Sequence, residues 1–401
     1  MAEHASHSVA TSFRLSEDAF TKVRNILAIV AALGWVLLIA GYFVDHERFF
    51  RSYLLNYVYC ITIPIGALFF VMVQHLSGAT WSVVIRRIAE CLMVTIPLGL
   101  ILFIPLIFGM HSLYEWTHVE VVANDAILLR KAPYLNEPFF IARTVAYFAI
   151  WTLFAFKLWG WSIKQDTDRN FDLTEKSRKF SAFGVLLLTI TFSLAAWDWV
   201  MSLSPHWFST MFGVYMYAGA AMAFTALMIL ISLRFRASGI LDKAINEEHY
   251  HDLGKWLFAF NTFWAYCGFS QYMLIWYGNL TEETIFFQHR FQGSWEVISK
   301  LLIFGHFLFP FAILVARWAK RNLTVLGAMA GWLLLMHYAD IYWLVMGSLY
   351  KDGVHFHWLD IAGLLALAPT FGLVFWTRLA RQNMVPVGDL RFERSLNFHQ
   401  V

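Results

Sequence analysis

His337 and Asp340 stand three residues apart in the run LLLMHYADIYW, so they share a face if that run is helical. His306 precedes them in the run IFGHFLF. A carboxylate and imidazoles joined by hydroxyls and water can pass protons, because histidine titrates near neutrality and burial raises a carboxyl toward the same range. Asn261, Thr262, Tyr266, Ser270 and Gln271 add an amide and hydroxyl series upstream. The chemistry expected is a proton path over His306, His337, Asp340, Tyr266 and Asn261. The pair His337 and Asp340 would equally serve as a satisfied polar contact holding helices together.

A second constellation is AAWDWVMS, in which Trp197 and Trp199 flank Asp198, followed by His206 after a short turn. Flat aromatic walls and one titratable hydrogen-bond partner are what a quinone ring requires, so Asp198, His206 and Trp197 form a candidate quinone-edge or proton-exit site. The alternative is a carboxylate that merely caps the turn. Asp360, just after His355 and His357, reads as a surface cluster. Cys60, Cys91 and Cys267 lie in apolar runs without a C-x-x-C pair, which argues against iron–sulfur, structural zinc and covalent haem. A non-covalent haem would need two histidines at one depth; only His306 and His337 qualify, and the neighbouring Asp340 suits proton chemistry better. Neither a metal site nor a catalytic residue of the chain's own is expected, and no nucleotide-binding glycine motif is present.

The elements that must position these groups follow from composition. The 401 residues are 59% hydrophobic, 18% aromatic and 14% charged, against roughly 25% charged in a soluble domain. That excludes a soluble enzyme and leaves an all-α polytopic membrane protein. A bilayer core about 30 Å thick needs about 20 mostly apolar residues per crossing. About ten segments meet this: Asn25–Val44, Leu54–His75, Cys91–Met110, Phe139–Trp159, Phe180–Leu203, Thr210–Leu233, Leu253–Tyr277, Val297–Ala316, Leu323–Gly347 and Trp358–Leu379. They make a membrane domain over 25–380, with tails at 1–24 and 381–401. Spans two to five and six to nine would form two four-helix bundles, 54–203 and 210–347, flanked by the first and tenth helices.

Of 30 Lys and Arg, only Arg48, Arg51, Arg130, Lys131, Arg143, Arg290, Lys300 and Lys351 fall on the side opposite the N-terminus, so both tails are expected in the cytoplasm. The polar first 23 residues show no cleavage site, and the first helix is expected to be retained. A net charge of +3 without a basic run excludes a nucleic-acid partner. The long outer segment Met110–Pro138 is expected to form an amphipathic helix or a docking platform.

FSLAAWDWVMSLSPHWFSTMFGVYMYAG (Phe192–Gly219), FAFNTFWAYCGFSQYMLIWYGNLTEET (Phe258–Thr284) and HRFQGSW (His289–Trp295) closely resemble the smaller NrfD-like (polysulfide reductase NrfD-type) integral membrane subunits of bacterial alternative complex III. The resemblance is specific over about 180–295. It implies an NrfD-like subunit of a quinol:cytochrome c oxidoreductase in the bacterial inner (plasma) membrane, fed by a menaquinol or ubiquinol pool. The implied partners are a larger sister NrfD-like subunit, multihaem and monohaem cytochrome c subunits, an iron–sulfur subunit and small membrane-anchored subunits. Haem and iron–sulfur clusters would then lie in the partners, quinone would be the one ligand near this chain, and the chain would hold no cofactor. An independent proton-coupled transporter is the competing expectation.

Overall fold

The computed structural model describes residues 13–399, so the outer parts of both expected tails, 1–12 and 400–401, lie outside the described residues. All regular structure among the described residues is helical. Ten long elements dominate: α1 (Glu17–Val44), α2 (His46–Leu76), α3 (Val83–Phe108), α4 (Glu137–Asp168), α5 (Phe171–Trp199), α6 (Phe212–Ala237), α7 (Glu247–Gly278), α8 (Trp295–Leu314), α9 (Leu323–Leu349) and α10 (Trp358–Ala380). Short polar residues start many of them. Ser16, Asp45, Asn136, Asn170, Asn246 and Asn322 each accept a backbone N–H of the first turn, which satisfies donors that a helix start otherwise leaves bare.

Among the described residues nine helices are long and apolar enough to cross a membrane, and the chain is a multi-pass helical membrane protein on that evidence. The exception among the ten is α7. It has 32 residues, but Asn261, Gln271 and its many Trp and Tyr residues dilute its apolar character. One side of α7 nevertheless projects Tyr266, Phe269 and Trp276 out of the protein.

α2 and α6 are the most enclosed helices and pack against each other, with Gly66 at the crossing: a Cβ there would lie 2.3 Å from the Ala220 carbonyl oxygen. α2 also packs on α3, α5, α9 and α10, and α4 packs on α3 and α5. α6 contacts α5, α7 and α9, and α8 fits between α7 and α9. α1 lies along α10 through a face of Ala31, Gly34, Leu38 and Gly41. At Gly34 the approach is so close that a Cβ would sit 2.3 Å from the Ala366 amide nitrogen. The opposite side of α1 exposes Ile29, Val36 and Phe43.

The expected outer amphipathic helix is instead a string of short turns: Met110–Leu113, Glu115–Thr117, Val119–Ala123 and Ala126–Lys131. Tyr114, His118 and the Asn124–Asp125 pair break the segment between these turns, and its inner side is tied down by Tyr114 Oη donating to the Trp199 carbonyl at 3.0 Å. Val119 and Leu129 remain exposed.

The expected C-terminal tail is no free tail over its described part. It folds back as a strap: the Met384 amide donates to the Phe13 carbonyl (2.8 Å), Ser395 Oγ to the Trp81 carbonyl (3.0 Å), and Asn246 Nδ2 to the Phe398 carbonyl (2.8 Å). Beneath the strap Glu90 bonds the guanidiniums of both Arg86 and Arg87 at 3.0 Å. Arg86 also reaches Asp389 at 2.8 Å, and Arg87 reaches Asp166 at 2.9 Å. Burial opposes ionisation of Asp389, but the Arg86 and Arg391 guanidiniums outweigh it and hold its carboxyl well below the usual range.

Candidate functional site: a buried carboxylate among aromatic and imidazole rings

Asn322 caps α9, and the helix runs unbroken for 27 residues, so His337 and Asp340 arrive on adjoining parts of one buried face. Asp340 is 1% exposed. One carboxylate oxygen accepts the Tyr215 hydroxyl of α6, and the other accepts Trp264 Nε1 of α7 at 3.0 Å. The Trp264 indole also lies against the His306 ring, with centroids 3.7 Å apart. Gly219 of α6 opens room for His337: a Cβ at Gly219 would be 3.2 Å from His337 Cε1 and 3.6 Å from Trp264 Cδ1. One indole thus borders the carboxylate and the cleft that holds both imidazoles.

The two imidazoles look in different directions. His306 Nε2 faces Met222 Sδ at 3.3 Å, whereas His337 Nε2 meets Thr62 Oγ1 of α2 at 3.1 Å. Their Nδ1 atoms are buried without a partner among the described residues, and so are both amide atoms of Asn261, one turn before Trp264 on α7. Buried polar atoms of this kind are the usual requirement for internal water, and a water-bridged group of carboxyl, phenol and imidazoles can exchange protons.

His306 owes its setting to a wide π turn over Leu302–Leu308. Such turns release backbone groups from the regular ladder. Trp332 Nε1 accordingly donates to the Gly305 carbonyl at 2.7 Å.

Tyr266, expected on the path, points away from this cluster and is 61% exposed. Two positions along the helix from Trp264 is about 200° around it, which places the two rings on opposite sides. Tyr266 instead lines a cavity of about 580 Å³ between α7, α8 and the short helix Thr281–Arg290. Its walls are mostly aromatic, among them Phe269, Phe287, Phe307 and Trp343, and Tyr215 and Trp264 reach it from the Asp340 side.

The expected grouping of Asp198, His206 and Trp197 is not brought together. Asp198 is fully buried and holds the Arg143 guanidinium through both oxygens, at 2.8 and 2.9 Å, while Tyr147 Oη donates to it at 2.8 Å. His206 turns outward to Asp125 at 2.6 Å, a contact that lowers the Asp125 carboxyl. Trp197 Nε1 is buried and has no partner among the described residues. Asp360 is likewise no surface cluster: it is 5% exposed, paired with Arg48 at 2.5 Å and bonded by Ser52 Oγ at 2.6 Å.

Sequence reasoning missed Tyr215, Trp264 and Thr62, which carry ordinary aromatic or hydroxyl side chains in a chain full of them. Arg143 carried a usable signal, since it is a basic residue inside the fourth expected span at the depth of Asp198. No protein-family model matches the chain, and no curated protein matches it.

Proposed function

We propose that this chain is an integral membrane subunit of a respiratory quinol:cytochrome c oxidoreductase of the alternative complex III type, and that its second half carries a proton path. The single observation that carries the path is the buried Asp340 carboxylate, bonded by Tyr215 and Trp264 beside His306, with His337 on the same helix. The resemblance over 180–295 supports the assembly. In this reading α7 is the tenth span, supported by its length and its outward aromatic side, and both termini are cytoplasmic. The packing of α2 with α3, α4 and α5, and of α6 with α7 and α9, between which α8 lies, supports two NrfD-like bundles flanked by α1 and α10.

Electron transfer then belongs to the cytochrome and iron–sulfur partners. The reading moves quinone contact from Asp198 to the aromatic cavity, because Asp198 is fully engaged by Arg143 and Tyr147, whereas the cavity offers flat walls with Tyr215 among them. A photoreactive quinone should label peptides containing Trp264 or Phe287; labelling beside Trp197 would restore the first assignment.

The decisive test is Asp340→Asn in the reconstituted complex. Protons moved per electron should fall while quinol oxidation is largely kept, and an unchanged stoichiometry refutes the path. Isolation of the chain with cytochromes supports the assembly; proton-coupled uptake by the purified chain alone would support a transporter instead.

A further inference from the structure

Arg290 ends the short helix Thr281–Arg290, on the side of the protein opposite the strap, and its side chain turns inward to 2% exposure. Among the described residues no carboxylate lies within ion-pair distance of it. The guanidinium donates instead to neutral groups: the Phe286 carbonyl (3.0 Å), the Leu344 carbonyl (3.3 Å) and Ser348 Oγ (2.8 Å). It lies over the Phe286 ring at 3.6 Å and near the Trp343 ring at 4.9 Å, and its Nε has no partner among the described residues. Gly347 makes the space, since a Cβ there would be 3.1 Å from Nε.

An isolated buried charge is among the most costly things a fold can carry, and in a membrane protein it points to an ion or proton route. The position of this one is informative. Gly347 is seven residues beyond Asp340 on α9, which is two turns, about 10 Å, along nearly the same face. The other charged groups on neighbouring elements, Glu296 paired with Lys300, His289 and Lys351, stand toward the surface rather than between Arg290 and Asp340.

We infer that Arg290 is a fixed cationic gate that closes the Asp340 cluster toward the loop side and keeps protons from entering it there. The inference rests on the reading of Asp340 as part of a proton path. An excess proton approaching Asp340 from that side must pass a positive charge that no carboxylate among the described residues neutralises, held against the Phe286 and Trp343 rings. The same electrostatic device excludes cations and protons from other membrane pores. Two unit charges about 10 Å apart at an effective dielectric of about 20 repel enough to slow passage on the order of tenfold.

The test uses the full chain in liposomes loaded with a pH-sensitive dye, under an imposed potassium diffusion potential. Arg290→Met should raise proton leak about tenfold, whereas Arg290→Lys, which keeps the charge, should stay near the native rate. Ser348→Asp places a carboxylate against the guanidinium while leaving the arginine in place, and should leak like Arg290→Met; it keeps the test alive if the methionine variant does not fold. Adding Asp340→Asn to either leaky variant should return the rate to baseline. Native leak in folded Arg290→Met and Ser348→Asp overturns the gate while leaving the Asp340 path standing. A raised leak that survives Asp340→Asn shows that protons bypass Asp340, and overturns both.

Discussion

Replacing Glu90 by Gln removes the one carboxylate that serves two buried guanidiniums, those of Arg86 and Arg87, each 3.0 Å away with both partners at most 1% exposed. At an effective dielectric of about 20, each contact is worth about 4 kcal/mol of gross attraction at 4 Å, most of which offsets the desolvation of the charges. Removing one member of a buried pair typically costs about 3–5 kcal/mol, because the remaining charge stays buried. Here Arg86 retains Asp389 and Arg87 retains Asp166, which sets the expected loss at the lower end, about 3 kcal/mol. The protein supplies its own reporter. Cys60, Cys91 and Cys267 are all buried and free, so a thiol-reactive fluorophore reads out unfolding in detergent. Glu90→Gln should advance thiol exposure to clearly lower temperature or denaturant. Glu47→Gln is the control: Glu47 is 69% exposed in its pair with Arg51, and such pairs contribute less than about 1 kcal/mol. The reasoning is refuted if Glu90→Gln behaves like Glu47→Gln.

Asp198→Asn leaves the Arg143 guanidinium buried without its carboxylate and should cost about 3–5 kcal/mol in the same thiol assay, with Arg143→Met added to it recovering part of the loss. Gly34→Leu forces α1 away from the backbone of α10 at Ala366 and should cost about 3 kcal/mol, read as protease cleavage within α1 that the native protein resists. The strap has a defined pH response. The Asp389 carboxyl is held down by Arg86 and Arg391, so its contribution is complete above the unfolded carboxyl value of about 3.9 and is lost only as pH falls through the lower folded one. Cleavage within 384–398 should therefore be unchanged between pH 7 and pH 5 and rise in stronger acid, whereas Asp389→Asn should expose the strap at neutral pH.

The helical membrane architecture was legible because scarce charge and long apolar runs are coarse signals that survive any packing arrangement. Nine of the ten expected crossings meet the length and apolarity a bilayer demands, and the tenth, α7, blurs because its aromatic and amide residues serve the interior on one side and face outward on the other. His337 and Asp340 stood out for the same reason of scarcity. Their surroundings did not: Trp264 and Tyr215 are ordinary types here, and what distinguishes them is the side of the helix they occupy. Tyr266 shows the error directly, since a list of polar types along α7 ignores the roughly 200° between it and Trp264. Partners far apart in sequence were harder still. Asp198 and Arg143 lie on different helices, as do Asp360 and Arg48, and only a comparison of depth across spans would have matched them.

The wide turn at Leu302–Leu308 gives α8 one residue of slack inside an otherwise continuous rod. A dislocation of this sort can migrate by a single position, carrying the residue it passes through about 100° of rotation while both ends of the rod stay anchored. Such a step would swing the His306 ring off the Trp264 indole and break the Trp332 bond to Gly305. A ring that moves in this peristaltic way needs a far smaller motion than rocking one half of the molecule against the other.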